Sequence, residues 1–167
     1  MTTQEIIDAL DLQAHPEGGF YRETYRSKER IPHEALVHYP SHRHHSTAIY
    51  FLLTKGNYGA YHRVRQDELW HFHQGGTIAL QLLSPEGVHS EVRIGNNILG
   101  GEHPQFTVPG GYWFAGVIAD DADYALVSCT VAPGFDFSDF ELADARLVTA
   151  FPEHKDLIKK FLPALQT

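Results

Sequence analysis

Apolar and polar residues alternate in short runs along most of the chain, a pattern typical of β-strands that bury one face. Turns rich in glycine, proline and aspartate separate these runs. The clearest runs cover residues 47–53, 77–83, 89–94, 105–108, 113–118 and 124–131. Eight or more short strands at such regular spacing predict an all-β protein, built as an antiparallel sandwich or barrel.

The two ends of the chain depart from this pattern. Just after Thr3, apolar positions recur on one side of a helix, which predicts a short N-terminal helix. Apolar positions from Phe137 to Leu162 follow helical spacing, with Pro152 at a helix start, and predict a C-terminal helical cap. The length suits one domain, so we expect residues 1–167 to form a single domain.

Residues 56–75 contain the most distinctive polar groups of the chain. Gly56 and Gly75 bound two alternating runs, and the polar residues 65–67 lie between those runs. Glycine adopts turn conformations that other residues resist, so a turn is predicted at each end of the segment. The segment therefore predicts two strands joined as a β-hairpin.

Within this segment a histidine and a carboxylate are expected to point into the protein. Successive residues of a strand face opposite sides, so His62 shares a face with Val64, and Glu68 shares one with Trp70 and Phe72. If the valine and the aromatic rings face the interior, the imidazole and the carboxylate do so too. Such groups in an aromatic cavity suit acid/base chemistry or metal binding.

The polar segment between Ser27 and Ser46 shows no regular period and predicts a mobile loop. It is rich in histidine, with the side chains of His38, His42, His44 and His45. Such a run can bind a divalent ion, but a dedicated metal site also needs a scaffold and supporting hydrogen bonds. Solvated histidines are therefore the default expectation for this segment.

Charge and cysteine content narrow the possible partners and compartment. With 13 basic and 21 acidic residues the formal charge is −8, which disfavours binding to the phosphate backbone of nucleic acid. A single cysteine, Cys129, allows no internal disulfide and lies in an apolar run, so we expect a buried, inert thiol. No secretory signal or membrane span is predicted, and a cytoplasmic protein is the expectation.

Two motifs resemble those of the cupin superfamily. Five positions match the spacing of its first motif, Gly, His, His, Glu and Gly, namely Gly56, His62, Val64, Glu68 and Gly75. The stretch 109–114 is similar to the second motif, in which a Pro-x-Gly turn precedes another histidine. Val64 and Phe114 replace two histidines of the family pattern, so only His62 and Glu68 remain of its four metal-ligand positions.

Longer phrases resemble one small branch of this superfamily, the cupin-5-like domain of unknown function. They lie at residues 15–22, 46–53, 67–72 and 131–137, and the likeness runs from about residue 5 to about residue 162. The resemblance implies a double-stranded β-helix, or jelly roll, with a small-molecule pocket. It also implies a homodimer built by sheet extension through the N-terminal strands.

The resulting hypothesis is a small-molecule-binding cupin, with a metal-independent isomerase, epimerase or lyase as the activity considered first. His62 would be the acid/base and Glu68 its partner. Further pocket candidates form an apolar wall or contact a polar substrate, and they are Arg22, Tyr50, Trp70, Phe72, Gln81, Trp113 and Phe114. Tyr61 and Tyr112 are alternatives to Tyr50 as a proton donor.

Three other interpretations stay open at this point. The chain could be a binding or sensing module without turnover, or a metal-dependent cupin enzyme. His62 and Glu68 could also simply satisfy each other in the barrel interior. No cofactor is expected, because valine and phenylalanine cannot donate a lone pair; a divalent metal, if bound, would use His62 and Glu68.

Overall fold

The structure is a computed structural model that describes residues 2–164. The strands are β1 (Gln13–Ala14), β2 (Phe20–Arg26), β3 (Arg30–Ile31), β4 (Arg43–His44), β5 (Thr47–Thr54), β6 (Tyr58–Val64), β7 (Glu68–Gly75), β8 (Ile78–Leu83), β9 (His89–Ile94), β10 (Gln105–Val108), β11 (Trp113–Ile118), β12 (Tyr124–Val131) and β13 (Phe140–Leu142). The α-helices are α1 (Thr3–Leu10), α2 (Ala145–Ala150) and α3 (Lys155–Lys160).

Two antiparallel sheets face each other. The first has the order β1-β2-β5-β12-β7-β10 and the second the order β13-β6-β11-β8-β9. The main core lies between them and takes Phe51 and Trp70 from the first sheet and Val64, Leu80 and Phe114 from the second. This arrangement confirms the predicted all-β jelly roll.

The hairpin predicted for residues 56–75 is wrong in its pairing, although both strands exist. β6 pairs with β11 and β13, whereas β7 pairs with β12 and β10 in the other sheet. The turn at 65–67 therefore crosses between sheets, tied down by the hydrogen bond from the Gly110 N–H to the Asp67 carboxylate at 2.8 Å. Because of this crossing, the inward residues of β6 and β7 approach one cavity from opposite walls.

The predicted terminal helices cover the outer faces of the sheets. Thr2 caps α1 in a capping box with Glu5, and Ile6 packs on the first sheet. Helices α2 and α3 pack on the second sheet. Phe140–Leu142, which we predicted as part of the helical cap, instead forms strand β13 on the edge of the second sheet. Its two apolar residues have the spacing of two that suits a strand.

The segment predicted as a mobile loop contains regular structure. β3 pairs with β4, and a short 3-10 turn covers His33–Ala35. Arg43 anchors the segment, because its guanidinium makes two bonds of 2.7 Å to the Asp139 carboxylate in the interior. A partner 96 residues away leaves no local pattern in the sequence. In the described part of the chain, no helix is long and apolar enough to span a bilayer.

Candidate functional site

A cavity of about 550 Å³ lies between the two sheets. His62 and Val64 of β6 line one wall, and Glu68 and Trp70 of β7 line the other. The inward direction predicted for His62 and Glu68 therefore matches the structure. The connection between β12 and β13 closes one side of the cavity with the rings of Phe135 and Phe137, and the first residue of β13 adds the ring of Phe140.

Both nitrogen atoms of the His62 ring have protein partners. Nδ1 lies 2.8 Å from the carbonyl oxygen of Ala60, and Nε2 lies 2.9 Å from Oε2 of Glu17. The ring of Phe114 lies beneath the imidazole at a centroid distance of 4.1 Å, and the ring of Phe140 stacks on it at 5.4 Å. The imidazole is therefore fixed in position and tilt.

These contacts determine the protons that the pair holds. The Ala60 carbonyl only accepts, so Nδ1 carries a hydrogen, and the contact between Nε2 and Glu17 needs one further proton. Burial alone lowers the pKa of His62, but the charge and hydrogen bond of Glu17 outweigh burial and raise it. Burial raises the pKa of Glu17, but the effects of His62 and His15 outweigh burial, so the pKa of Glu17 lies below its ordinary value. The pair is therefore an imidazolium bonded to a carboxylate.

The ion-pair partner of His62 is thus Glu17, which corrects the prediction that Glu68 fills this role. Glu17 lies before β2 in a loop that packs closely on β6. The Ala60 N–H donates to the Glu17 carbonyl at 2.7 Å. Gly18 has φ +108°, and a Cβ there would lie 2.3 Å from the Tyr58 carbonyl oxygen, so glycine is required for this approach. No role was predicted for Glu17 from the sequence.

His15 is a second residue that the sequence analysis missed. Its Nδ1 accepts a hydrogen bond of 3.2 Å from the Glu17 N–H, and its ring meets Tyr21 edge-on at 4.6 Å. Burial lowers the pKa of His15; Glu17 opposes this effect and His62 adds to it. A neutral His15 therefore supports the loop that carries Glu17. The signal for both residues was the unusual phrase His-Pro-Glu-Gly-Gly at 15–19.

Glu68 faces the same cavity from the opposite sheet. Burial, together with the charge of Glu17, raises its pKa to about 7, although His62 lowers it. The indole of Trp70 lies beside this carboxyl, but its Nε1 makes no hydrogen bond within the described residues. Glu68 is therefore a carboxyl group that can gain or lose a proton close to neutral pH.

Cys129 also lines the cavity, next to Glu68. The thiol is free and buried, and burial, followed by the nearby Glu68, raises its pKa well above the ordinary range. A protonated thiol is a weak nucleophile. This environment agrees with the expected inert cysteine.

Three of the predicted pocket residues lie on the outer faces of the sheets. Arg22 and Tyr50 are paired neighbours on β2 and β5, with the guanidinium 6.0 Å from the ring centre. They point away from the cavity because the adjacent Tyr21 and Phe51 line it. Gln81 bonds Glu91 and His89 on the outer side of the second sheet. None of these three side chains is placed to contact a ligand in the cavity.

The remaining aromatic candidates divide between wall and support. Trp70 lines the cavity, whereas Phe114 lies beneath His62 and Phe72 packs against the main core without lining the cavity. Trp113 belongs to the cluster under the C-terminal helices, where the guanidinium of Arg63 lies 4.6 Å from its ring centre. All four rings were predicted to form the wall of the pocket, but an apolar pattern does not distinguish cavity wall from solid core.

The fold and the cavity define a cupin-type jelly roll with a small-molecule-sized site. A family model described as "Cupin superfamily (DUF985)" matches residues 4–143. The chain belongs to this family. The family description itself assigns no activity.

Similar proteins come from distant organisms. The uncharacterised protein YML079W of Saccharomyces cerevisiae is 33% identical over 146 residues, which cover 81% of this chain and 72% of the yeast protein. Protein SO0799 from Shewanella oneidensis is 38% identical with a TM-score of 0.85, covering 97% of this chain and 98% of that chain. A hypothetical protein from Leishmania major is 37% identical with a TM-score of 0.88, covering 98% and 100%.

More distant likenesses extend to metalloenzymes of the same fold. Bacillus subtilis oxalate decarboxylase, in which Mn(II) centres are described, shares the fold at 14% identity and a TM-score of 0.53. Its alignment covers 90% of this chain and 37% of that chain.

The donor atoms of this chain do not fit the metal that the cupin pattern implies. Val64 and Phe114 provide no lone pair, and both nitrogens of His62 already have protein partners. Within residues 2–164, no three histidine, cysteine or carboxylate side chains come together so as to hold a metal ion, and this holds for the histidine-rich segment too. Glu17 bonds the ring nitrogen that faces the cavity.

Proposed function

We propose that this protein is an enzyme that moves a proton at a carbon atom of a small molecule bound in the cavity, as an isomerase, epimerase or lyase. The observation that supports it is one enclosed site with two separate proton-holding groups on opposite walls. These are the His62–Glu17 pair, at 2.9 Å, and the carboxyl of Glu68.

The two groups can divide the work of an enolisation. The Glu68 carboxylate takes the proton as the C–H bond next to a carbonyl breaks. The electron pair of that bond moves toward the carbonyl oxygen. This oxygen displaces Glu17 and accepts the Nε2–H of the His62 imidazolium, which stabilises the negative charge that develops there. Return of the proton to the other face gives epimerisation, and its return to the neighbouring carbon gives isomerisation. A pKa near neutrality allows Glu68 to act in both directions.

Uptake of solvent deuterium tests this proposal whichever product the reaction forms. Small hydroxy-ketones and sugars are incubated with the protein in deuterium oxide, and carbon-bound deuterium is read by NMR. We expect exchange with at least one compound, reduced about 100-fold or more in His62→Asn and in Glu68→Gln. His73→Asn is the matched control, because His73 lies exposed on β7 and does not line the cavity. Wild-type exchange rates in both cavity variants would contradict the proposal.

A non-catalytic binding module is the second candidate. The satisfaction of both His62 nitrogens by Ala60 and Glu17 favours it, because a purely structural pair needs no other partner. A binder predicts that His62→Asn changes ligand affinity without any deuterium exchange in the wild type. The exchange experiment and a calorimetric titration together therefore distinguish the two functions.

A further inference from the structure

An arginine lies at the mouth of the cavity, and a carboxylate of the protein already neutralises its charge. Arg26 is the only lysine or arginine among the described residues that line the cavity. Its guanidinium makes two bonds to the Glu23 carboxylate, of 2.8 and 2.7 Å, and donates a third to the Phe135 carbonyl at 3.1 Å. The guanidinium of Arg26 is therefore bonded to the protein itself and is not free to bind an anionic ligand.

Deeper in the cavity, the second cation, the His62 imidazolium, is also neutralised by a carboxylate of the protein. His62 is bonded to Glu17, so this pair adds no net charge. Arg22, predicted from the sequence as a pocket residue, lies on the outer face beside Tyr50. The two neutral pairs leave the carboxyls of Glu68 and Asp136 as the lining groups with no cation within ion-pair distance in the described structure. The hydrogen bonds of Ser138 lower the pKa of Asp136, and the guanidiniums of Arg43 and Arg26 add to this effect, but these guanidiniums are already paired with Asp139 and Glu23.

Asp136 is held in place at the mouth. One of its carboxylate oxygens accepts hydrogen bonds from the N–H and the hydroxyl of Ser138, at 2.9 and 2.6 Å. Two donors stabilise the charged form of a carboxylate. Asp136 therefore presents a negative charge of fixed position where a ligand enters.

Aromatic residues precede and follow Asp136 in the chain, and they line the same cavity. Phe137 is half exposed and meets Phe135 edge-on at 5.0 Å, and Phe140 lies 5.8 Å from Phe137. Tyr21 lines the same cavity. The face of an aromatic ring attracts a cation, and a nearby carboxylate strengthens this preference. A fixed acid among rings, with no free cation among the described lining residues, favours one sign of ligand charge.

We propose that the cavity takes an organic cation, in which an apolar, ring-sized group carries an ammonium that lies against Asp136 and the rings of Phe135 and Phe137. The inference rests on the proposed function in taking the cavity as the ligand site, and it names the substrate class for that site. The overall charge of −8 draws the same class of molecule toward the protein.

Three probes of nearly equal size and different charge test the proposal. Benzylammonium, benzyl alcohol and benzoate are titrated into the full-length protein by calorimetry at about pH 7. We expect benzylammonium to bind about tenfold or more tightly than benzoate, with benzyl alcohol between them. Equal or tighter binding of benzoate, or no binding of any probe, would overturn the inference.

Two substitutions at the mouth make the test specific. Asp136→Asn removes the fixed charge and should weaken benzylammonium binding about threefold or more, while Asp121→Asn, a surface acid outside the cavity, should leave it unchanged. Glu23→Gln frees the guanidinium of Arg26 and should raise the affinity for benzoate. Equal effects of the two aspartate variants, or unchanged benzoate binding in Glu23→Gln, would contradict the inference.

The two proposals fail in different ways. A reversed charge order in these titrations would leave the deuterium-exchange result standing. Absence of exchange with every compound, combined with the expected charge order, would instead remove the proton-transfer proposal and leave a cation-binding cavity.

Discussion

Two buried ion pairs in this protein are built in different ways. Arg43 and Asp139 meet through two bonds of 2.7 Å, and Ser41, Ser138 and Gln66 fill their remaining hydrogen-bonding positions. His62 and Glu17 meet through one contact of 2.9 Å on the wall of a cavity.

This difference indicates that the Arg43–Asp139 pair supports the fold, whereas the His62–Glu17 pair can take part in chemistry. A guanidinium keeps its charge at every physiological pH, so the Arg43 pair can only hold parts together. It ties the 27–46 segment to the connection that carries Phe135 and Phe137 and leads into Phe140 of β13, and so holds one wall of the cavity. An imidazole changes its charge near neutral pH, so the pair in the cavity can respond to a ligand.

The largest effect is expected from breaking the structural pair on one side. Arg43→Leu removes two bonds of 2.7 Å to the buried Asp139 carboxylate and leaves it only the half-exposed guanidinium of Arg65, whose Nε lies 3.5 Å from Oδ1. The free energy of unfolding should fall by up to about 3–5 kcal/mol. Arg146→Ala is the control, because its ion pair with Asp144 is exposed and should contribute far less to stability. Denaturant unfolding measures both.

A double variant separates the charge from the packing. Arg43→Leu with Asp139→Leu removes both charges, and it should recover part of the stability that the single change loses. A single variant as stable as the Arg146→Ala control would mean that the pair carries little of the fold.

The next effect concerns pH and Glu68. The pKa of Glu68 rises from its ordinary 4.5 to about 7 in the folded protein. Folding therefore favours the protonated carboxyl, and this contribution is complete below the unfolded pKa and is lost as the pH rises through about 7. Relative to Glu68→Gln, the wild type should lose up to about 3 kcal/mol of unfolding free energy across this window. Parallel stability curves for the two proteins, measured in denaturant, would contradict this assignment.

A smaller effect tests the pair in the cavity. Glu17→Gln keeps the shape of the side chain but removes the charge that raises the pKa of His62, so that pKa should fall. NMR titration of the His62 ring protons measures the change. The unfolding free energy should decrease by about 1–3 kcal/mol, less than in Arg43→Leu, because a neutral hydrogen-bonding group remains. An unchanged His62 pKa would show that Glu17 is not its partner in solution.

Local patterns were sufficient to predict the strands and the inward direction of His62 and Glu68. His62 shares a strand face with Val64, and Glu68 shares one with Trp70. Because burial of these apolar side chains is favourable, the same face of each strand was predicted to point inward. The terminal helices followed from capping and periodicity in the same way. Each of these features depends on residues a few positions apart.

Features that depend on distant contacts could not be predicted. A three-residue turn is compatible with a hairpin and with a crossing between sheets, and the predicted pairing of β6 with β7 was therefore wrong. Glu17 lies in a loop without a period, and its role arises from close packing of Gly18 on Tyr58. Arg22 was predicted as a pocket residue, but the cavity-facing side of β2 is set by the position of Phe51 on the neighbouring strand.

The smallest effect is expected for Arg22, which belongs to neither ion pair. Its guanidinium lies over Tyr50 on the outer face, so Arg22→Ala should change the affinity for benzylammonium or benzoate by less than about twofold and the stability by about 1 kcal/mol or less. Calorimetric titration compares Arg22→Ala with Glu23→Gln, because Glu23→Gln frees the guanidinium of Arg26, which lines the cavity. A clear loss of benzoate binding in Arg22→Ala would place ligand recognition on the outer face of the sheet. The cavity between the two sheets would then not be the ligand site.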